Sequence, residues 1–134
     1  MRRSNPEHIQ KEDYNSIIAF GQKPVTKSIY LERYGCIDGQ KYFTAFDYEP
    51  LKDFLICKKY KVKISDNAGN YLCNHVYGVG LNRIEKQKRN TKFIFVHIPN
   101  IKNLDDVNRL ASVFNEYVEC HLIDKLNITG RDML

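Results

Sequence analysis

Residues 93–98 read Phe-Ile-Phe-Val-His-Ile, and Pro99 follows them directly. Aromatic and β-branched residues favour strands, and a run this apolar is typical of a strand that is buried on both faces. A proline restricts the residue before it and ends such a run. The stretch therefore predicts the strongest strand of the chain, with His97 close to its end.

Weaker strand and helix patterns lie on the N-terminal and C-terminal sides of this strand. The predicted strands are 16–20, 27–35 (a short strand or an extended loop) and 61–65, and the predicted helices begin at Asp47, near Leu72, and at Asp105 or Asp106. Strands that alternate with helices favour a mostly parallel sheet with helices on both faces. The predicted fold class is therefore a three-layer α/β/α domain.

The composition is that of a single globular domain, with 43% hydrophobic and 28% charged residues among 134. These values exclude collagen-like, low-complexity and wholly disordered chains. Because a domain averages about 150 residues, we expect one domain over residues 1–134, with a polar lead-in over residues 1–13.

The net charge of +5 comes from scattered basic residues, which are densest at 58–63 and 86–92. A basic excess can indicate a nucleic-acid partner, but cations are also favourable at helix C-termini and on solvated surfaces. The charge pattern therefore does not predict nucleic-acid binding, which is the weakest of the functions considered.

Apolar runs such as residues 17–20 are only four or five residues long, which is too short to span a bilayer. No hydrophobic stretch follows Arg2 and Arg3, so no secretory signal is readable. The four cysteines form no Cys-x-x-Cys pair and lie in no cluster of metal ligands. We therefore expect a cytoplasmic protein without a membrane partner, a disulfide or a metal ion.

Three residues with the chemistry of a cysteine acyl-transfer enzyme are Cys73, His97 and Glu32. Cys73 lies near the start of a predicted helix, where the helix dipole favours a thiolate. His97 and Glu32 lie near the ends of predicted strands, and ligands bind at the carboxyl ends of strands in α/β folds. Taken singly, a cysteine is usually a small core residue, a strand-end histidine is usually structural and a glutamate is usually on the surface. His75 is a poorer partner for Cys73, because helix positions two apart point in different directions.

Two segments of the chain resemble those of the pyroglutamyl peptidase I family, also called pyrrolidone-carboxylate peptidases. Residues 65–75, Ser-Asp-Asn-Ala-Gly-Asn-Tyr-Leu-Cys-Asn-His, resemble the family's nucleophile segment, and residues 95–99, Phe-Val-His-Ile-Pro, resemble its histidine segment. The separation of cysteine and histidine, 24 residues, also agrees with the family. Residues 21–22 and 29–33 are similar to the stretch that ends in the family's catalytic glutamate and the arginine after it.

The resemblance implies a peptidase that removes an N-terminal pyroglutamyl residue from peptides without a metal or organic cofactor. By resemblance, Cys73 is the nucleophile, His97 transfers the proton and Glu32 orients the imidazole. The segments that match Gln22 and Tyr71 contribute to the family's pocket for the lactam ring, so these two residues are expected to bind substrate.

Two departures from the family pattern leave a second interpretation open. The chain has no equivalent of the family's first strand and its Gly-Phe-x-Pro-Phe-Gly loop, and residues 33–41 are shorter than the family's segment, which carries an arginine that polarises the substrate carbonyl. We therefore expect an N-terminally shortened member whose exposed sheet edge is covered, for example in a homo-oligomer. The alternative to an active peptidase is a catalytically impaired relative with a binding or regulatory role.

Overall fold

The computed structural model describes residues 16–123 except 24–25, 67–71, 101, 103 and 105. The strands are β1 (Ser16–Lys23), β2 (Ile29–Glu32), β3 (Tyr34–Ile37), β4 (Gln40–Phe43), β5 (Val62–Ser65) and β6 (Lys92–Pro99). The helices are α1 (Tyr48–Cys57), α2 (Leu72–Lys86) and α3 (Val107–Tyr117), and a π-helical turn (Val118–Ile123) follows α3.

Four of the strands form one sheet in the order β1-β6-β2-β5, and β3 and β4 form a separate antiparallel hairpin. The pairs β1–β6 and β2–β5 are parallel, whereas β2 runs antiparallel to β6. The predicted strand at 93–98 is thus confirmed, and the structure adds that it is central, since β6 has a neighbour on both sides. The mostly parallel α/β class is confirmed as well.

Alternation along β6 divides the core into two clusters on opposite faces of the sheet. One face packs against α1 and α3 through Leu31, Ile94, Val96 and residues of both helices. The other face packs against α2, where Phe93 and Phe95 contact Tyr77 and Leu81. The sheet therefore lies between two helical layers, as expected for a three-layer domain.

The region 27–43 contains more regular structure than the sequence predicts. The segment 27–35 divides into β2 and the start of β3, and β4 was not predicted. The turn of the β3–β4 hairpin contains Gly39 at φ 81°, a left-handed conformation that glycine adopts without a steric penalty. The hairpin packs against α2, so it becomes part of the layer that carries Cys73.

The helix starts agree with the sequence, although the capping interactions differ. Asp106 caps α3, because its side chain accepts a hydrogen bond of 3.0 Å from the Arg109 amide. Asp47 precedes α1 as predicted, but its side chain makes no capping hydrogen bond. No helix in the described part of the chain is long and apolar enough to cross a membrane.

Candidate active site

A buried carboxylate–imidazole pair forms the centre of the site. Glu32 Oε2 lies 2.7 Å from His97 Nδ1, and the two side chains are 0% and 4% exposed. Glu32 pairs with Phe95 across the β2–β6 ladder, and His97 lies two residues further along the same face. Such diagonal neighbours are within reach of long side chains, so the register of the two strands brings the pair together.

The route by which Glu32 and His97 meet differs from the expected one. We expected the carboxyl ends of parallel strands to gather both residues at one edge of the sheet. That expectation is wrong, because β2 is antiparallel to β6 and the carboxyl ends of the two strands point in opposite directions. Glu32 instead reaches His97 sideways across the ladder. The amino-acid pattern predicts a strand but does not indicate its direction.

The hydrogen bond at Nδ1 determines which ring nitrogen of His97 can accept a proton. An ionised carboxylate only accepts hydrogen bonds, so it favours the tautomer in which Nδ1 carries the hydrogen. Nε2 then has a free lone pair and can take a proton from a nearby acid. The arrangement is that of a general base held by an orienting carboxylate.

A lysine adds a positive charge to this pair. Lys23 Nζ lies 3.6 Å from Glu32 Oε2 and 4.4 Å from the centre of the Tyr30 ring. The second carboxylate oxygen, Glu32 Oε1, is buried and has no hydrogen-bond partner among the described residues. The carboxylate therefore interacts with the lysine and the imidazole through the same oxygen.

Cys73 lies on the same face of the sheet as the pair. It is the second residue of α2, and its half-buried side chain packs against the cluster formed by α2 and β6. A Cβ placed on Gly21 would lie 2.9 Å from Cys73 Sγ and 2.9 Å from Phe95 Cε1. Since Gly21 pairs with His97 in the β1–β6 register, Gly21 provides the space that the thiol occupies beside the histidine strand.

The β3–β4 hairpin contacts the start of α2 directly. The Cys36 amide donates a 2.9 Å hydrogen bond to Asn74 Oδ1, directly after the cysteine. Further along the helix, Gly35 and Gly78 approach so closely that a Cβ on Gly35 would overlap the Gly78 backbone. Two backbone segments can pack this tightly only where neither carries a side chain. The hairpin therefore contributes to the position of the Cys73 helix.

Arg33 forms hydrogen bonds with the segment that leads into α2. The Arg33 guanidinium donates a hydrogen bond to Asp66, which directly follows β5, and the Arg33 amide bonds the Ser65 carbonyl at 2.8 Å. This carboxylate raises the pKa of Arg33 above its usual value. Arg33, the residue after Glu32, thus connects β2 with the segment that leads to Cys73.

The structure places the other predicted site residues as follows. Gln22 lies on β1 beside Gly21, but its side chain is exposed and alternates to the opposite face from Cys73. Tyr71 lies outside the described residues. Their assignment to substrate binding stays a prediction. The rival base His75 is exposed.

Two residues of the site were missed as functional candidates in the sequence. Gly21 belongs to a segment that resembles the family's, but the sequence does not indicate that its missing side chain makes room for the thiol. Tyr77 is not among the predicted site residues, although its spacing of four positions from Cys73 places both on one helix face. Within the described residues, no three His, Cys, Asp or Glu side chains are grouped as metal ligands would be.

Comparisons with known sequences identify the same family as the motifs. Residues 37–115, more than half of the chain, match the model of the family described as pyroglutamyl peptidase. The pyrrolidone-carboxylate peptidase of Oceanobacillus iheyensis is 46% identical over 50 residues, which cover 37% of this chain and 25% of that protein. Pyrrolidone-carboxylate peptidase 2 of Caldanaerobacter subterraneus subsp. tengcongensis is 35% identical over 80 residues, which cover 59% and 36%. The matched segments thus span only a quarter to about a third of these relatives.

Solved structures have the same fold. Pyroglutamyl peptidase I of Bacillus amyloliquefaciens superposes with a TM-score of 0.64 at 20% identity, covering 82% of this chain and 67% of that one. The pyrrolidone carboxyl peptidase of Fervidobacterium islandicum superposes with a TM-score of 0.59 at 25% identity, covering 70% and 56%. These likenesses support the α/β architecture described above.

Proposed function

The chain belongs to the pyroglutamyl peptidase family, and from this membership we propose that it is a cysteine peptidase that removes N-terminal pyroglutamate from peptides. The observation that carries the proposal is the buried contact of 2.7 Å between Glu32 and His97 on the sheet face that also carries Cys73. A carboxylate, an imidazole and a thiol at one face are the parts that covalent acyl transfer requires.

The proposed reaction begins with the thiol. His97 Nε2 accepts the proton of Cys73 while the sulfur attacks the pyroglutamyl carbonyl carbon. Collapse of the tetrahedral intermediate breaks the peptide bond, and the imidazolium returns its proton to the departing amine. Water then attacks the thioester with His97 again as the base, and pyroglutamate leaves with the thiol restored. Glu32 holds the imidazole in the tautomer that leaves Nε2 free and stabilises the imidazolium.

The substrate side of the proposal has two sources. By resemblance to the family, the segments that contain Gln22 and Tyr71 contribute to binding of the lactam ring, although the Gln22 side chain itself lies on the opposite face from Cys73. From the structure, the thiol fills the space beside Gly21, and the ring of Phe95 borders the same space. The apolar ring near the sulfur would pack against the methylene groups of the lactam, since burial of apolar surface contributes about 25 cal/mol per Å².

The test is the release of a fluorogenic amine from its pyroglutamyl amide. We expect turnover by the wild type, loss of turnover in Cys73→Ala and retained turnover in Cys36→Ala, which removes a second half-buried thiol. Circular dichroism establishes that each variant is folded. Well-folded wild type that releases no amine would contradict the proposal and favour the impaired relative with a binding or regulatory role.

The homo-oligomer that we expected at an exposed sheet edge stays a prediction. Sedimentation velocity of the purified protein tests it, because a monomer and a dimer of this chain differ twofold in mass. A single species with the mass of one chain at all concentrations would contradict it.

A further inference from the structure

One buried hydroxyl connects the helix of Cys73 with the strand of Glu32. Tyr77 lies on α2, four residues after Cys73, and its side chain is fully buried. Its hydroxyl oxygen is 2.9 Å from the backbone carbonyl of Glu32 and 3.4 Å from that of Phe93. A hydroxyl carries a single proton, so the shorter contact identifies the Glu32 carbonyl as the acceptor.

The ring of Tyr77 continues this connection to His97. It packs edge-on against Phe93 at 5.1 Å and tilted against Phe95 at 5.8 Å. Phe95 in turn lies 5.0 Å from the imidazole of His97. Tyr77 therefore contacts the backbone that carries Glu32 and the ring that supports His97, and it shares a helix face with Cys73.

Burial makes the hydroxyl a constant donor. Desolvation raises the pKa of Tyr77 well above its ordinary value of 10.0, so the phenol keeps its proton throughout the neutral range. An unpaired hydroxyl in this position would be unfavourable, which makes the distance between α2 and β2 well defined. Phenylalanine would fill the same volume, but packing alone would then determine the distance between α2 and β2.

We propose that Tyr77 is a positioning residue whose hydroxyl bond to the Glu32 carbonyl sets the Cys73 thiol relative to the His97–Glu32 pair. The proposal rests on the proposed roles of these three residues. It does not make Tyr77 a catalytic residue, because its hydroxyl contacts backbone groups and the Thr44 side chain and none of the three proposed catalytic side chains. A misplacement of about 1 Å between reacting groups can lower a rate by about a hundredfold, so a small shift of α2 has a large effect on turnover.

The first arm of the test compares Tyr77→Phe with Tyr117→Phe. Tyr117 is also buried, but it lies in the cluster on the opposite face of the sheet. We expect Tyr77→Phe to lower kcat by about 10- to 100-fold with little change in KM, because substrate contacts remain. We expect Tyr117→Phe to leave both constants unchanged. Equal kcat values for wild type and Tyr77→Phe would overturn the proposal.

The second arm does not depend on peptidase activity. Iodoacetamide is applied between pH 5 and pH 9, and the alkylation of Cys73 and Cys36 is followed by mass spectrometry. We expect Cys73 to react ahead of Cys36 at pH 6 in the wild type and in Tyr117→Phe, and to lose this lead in Tyr77→Phe. An unchanged lead in Tyr77→Phe overturns the positioning role, even if the wild type hydrolyses no pyroglutamyl amide.

The two arms separate the failure of the inference from the failure of the proposed function. Absence of turnover with a Tyr77-dependent alkylation profile contradicts only the peptidase activity. Turnover that is insensitive to Tyr77→Phe contradicts only the positioning role. Both measurements are made at low temperature in sucrose, which favours the compact state and keeps a destabilised Tyr77→Phe folded.

Discussion

Glu32 and His97 are held together although neither is the other's partner in the ladder. Glu32 pairs with Phe95, and His97 pairs with Tyr30, yet the carboxylate oxygen and the ring nitrogen are 2.7 Å apart. The contact is a diagonal between antiparallel strands that share a buried face. The geometry of the pair therefore depends on strand register and not on a flexible loop.

Replacement of Glu32 by glutamine tests the role of the carboxylate. The amide fills nearly the same volume but cannot stabilise an imidazolium by its charge, so we expect kcat to fall by about 10²- to 10⁴-fold. The measurement is turnover of the pyroglutamyl amide, with replacement of the exposed α3 residue Glu116 by glutamine as the matched control. Turnover within twofold of wild type in folded Glu32→Gln would contradict the assigned role.

Replacement of Gly21 by alanine tests the space reserved for the thiol. The added methyl would lie 2.9 Å from both Cys73 Sγ and Phe95 Cε1. We expect the free energy of unfolding to fall by about 1–3 kcal/mol, as for other overpacked sites, and Cys73 alkylation to slow. Urea denaturation and alkylation rates provide the measurements.

A double-mutant cycle identifies the thiol as the group that Gly21→Ala displaces. Addition of Cys73→Ala to Gly21→Ala removes the sulfur but leaves the contact with Phe95. The stability loss from Gly21→Ala should therefore be smaller in the Cys73→Ala background. Strictly additive losses would show that the thiol does not occupy the space beside Gly21.

Replacement of Gly35 by alanine tests the packing of the hairpin on α2. The methyl would overlap the backbone of Gly78, which cannot move as a side chain can. We expect a loss of stability of about 1–3 kcal/mol or more, measured by urea denaturation. Gly39→Asn is the control, because no atom lies within 4 Å of its Cβ and asparagine tolerates the left-handed turn. A loss in Gly35→Ala no larger than in the control would contradict the close approach.

The dependence of stability on alkaline pH follows from burial of Tyr77. The unfolded chain releases this proton near pH 10, whereas the folded protein retains it to higher pH. Below about pH 10 both states hold the proton, and above about pH 10 the unfolded state binds fewer protons than the folded state. The free energy of unfolding should then fall by up to about 1.4 kcal/mol per pH unit.

Tyr77→Phe provides the comparison for the alkaline measurement. The variant lacks the titrating group, so its stability should fall less steeply between about pH 10 and pH 11 than that of the wild type. Tyr117→Phe should also flatten the curve, since burial raises the pKa of Tyr117 too. Parallel curves for wild type and Tyr77→Phe in urea titrations would refute this linkage.

The sequence predicts the individual elements of the site better than their arrangement. The apolar run around His97 and the helical pattern that begins near Leu72 are local signals, and His97 and Cys73 lie on the predicted strand and helix. The tertiary fold of the whole chain determines the direction of β2 relative to β6, and no local sequence pattern encodes this direction. The resemblance to the family therefore predicts a contact between Glu32 and His97, whereas the positions of the strand ends do not predict its geometry.

Helix α2 shows why propensity alone underestimates structure. Gly78 and Gly80 weaken the helical signal, yet both lie inside a helix of 15 residues. A Cβ on Gly80 would press into the Phe93 ring, and one on Gly78 would approach Cys36 and Ile37. The glycines that disfavour the isolated helix are thus the ones that allow it to dock. Contacts with distant residues decide the outcome, and these are not visible in a local window.

The alternation of β2 limits where the chain tolerates insertions. Leu31 faces the cluster shared with α1 and α3, whereas Glu32 faces the opposite side. One residue inserted into this strand ahead of Glu32 would rotate the carboxylate into hydrocarbon and present an aliphatic side chain to the imidazole. The same insertion at the hairpin tip beside Gly39 would alter only a surface turn. Natural or engineered variation in length should therefore accumulate at the tip and be absent from β2.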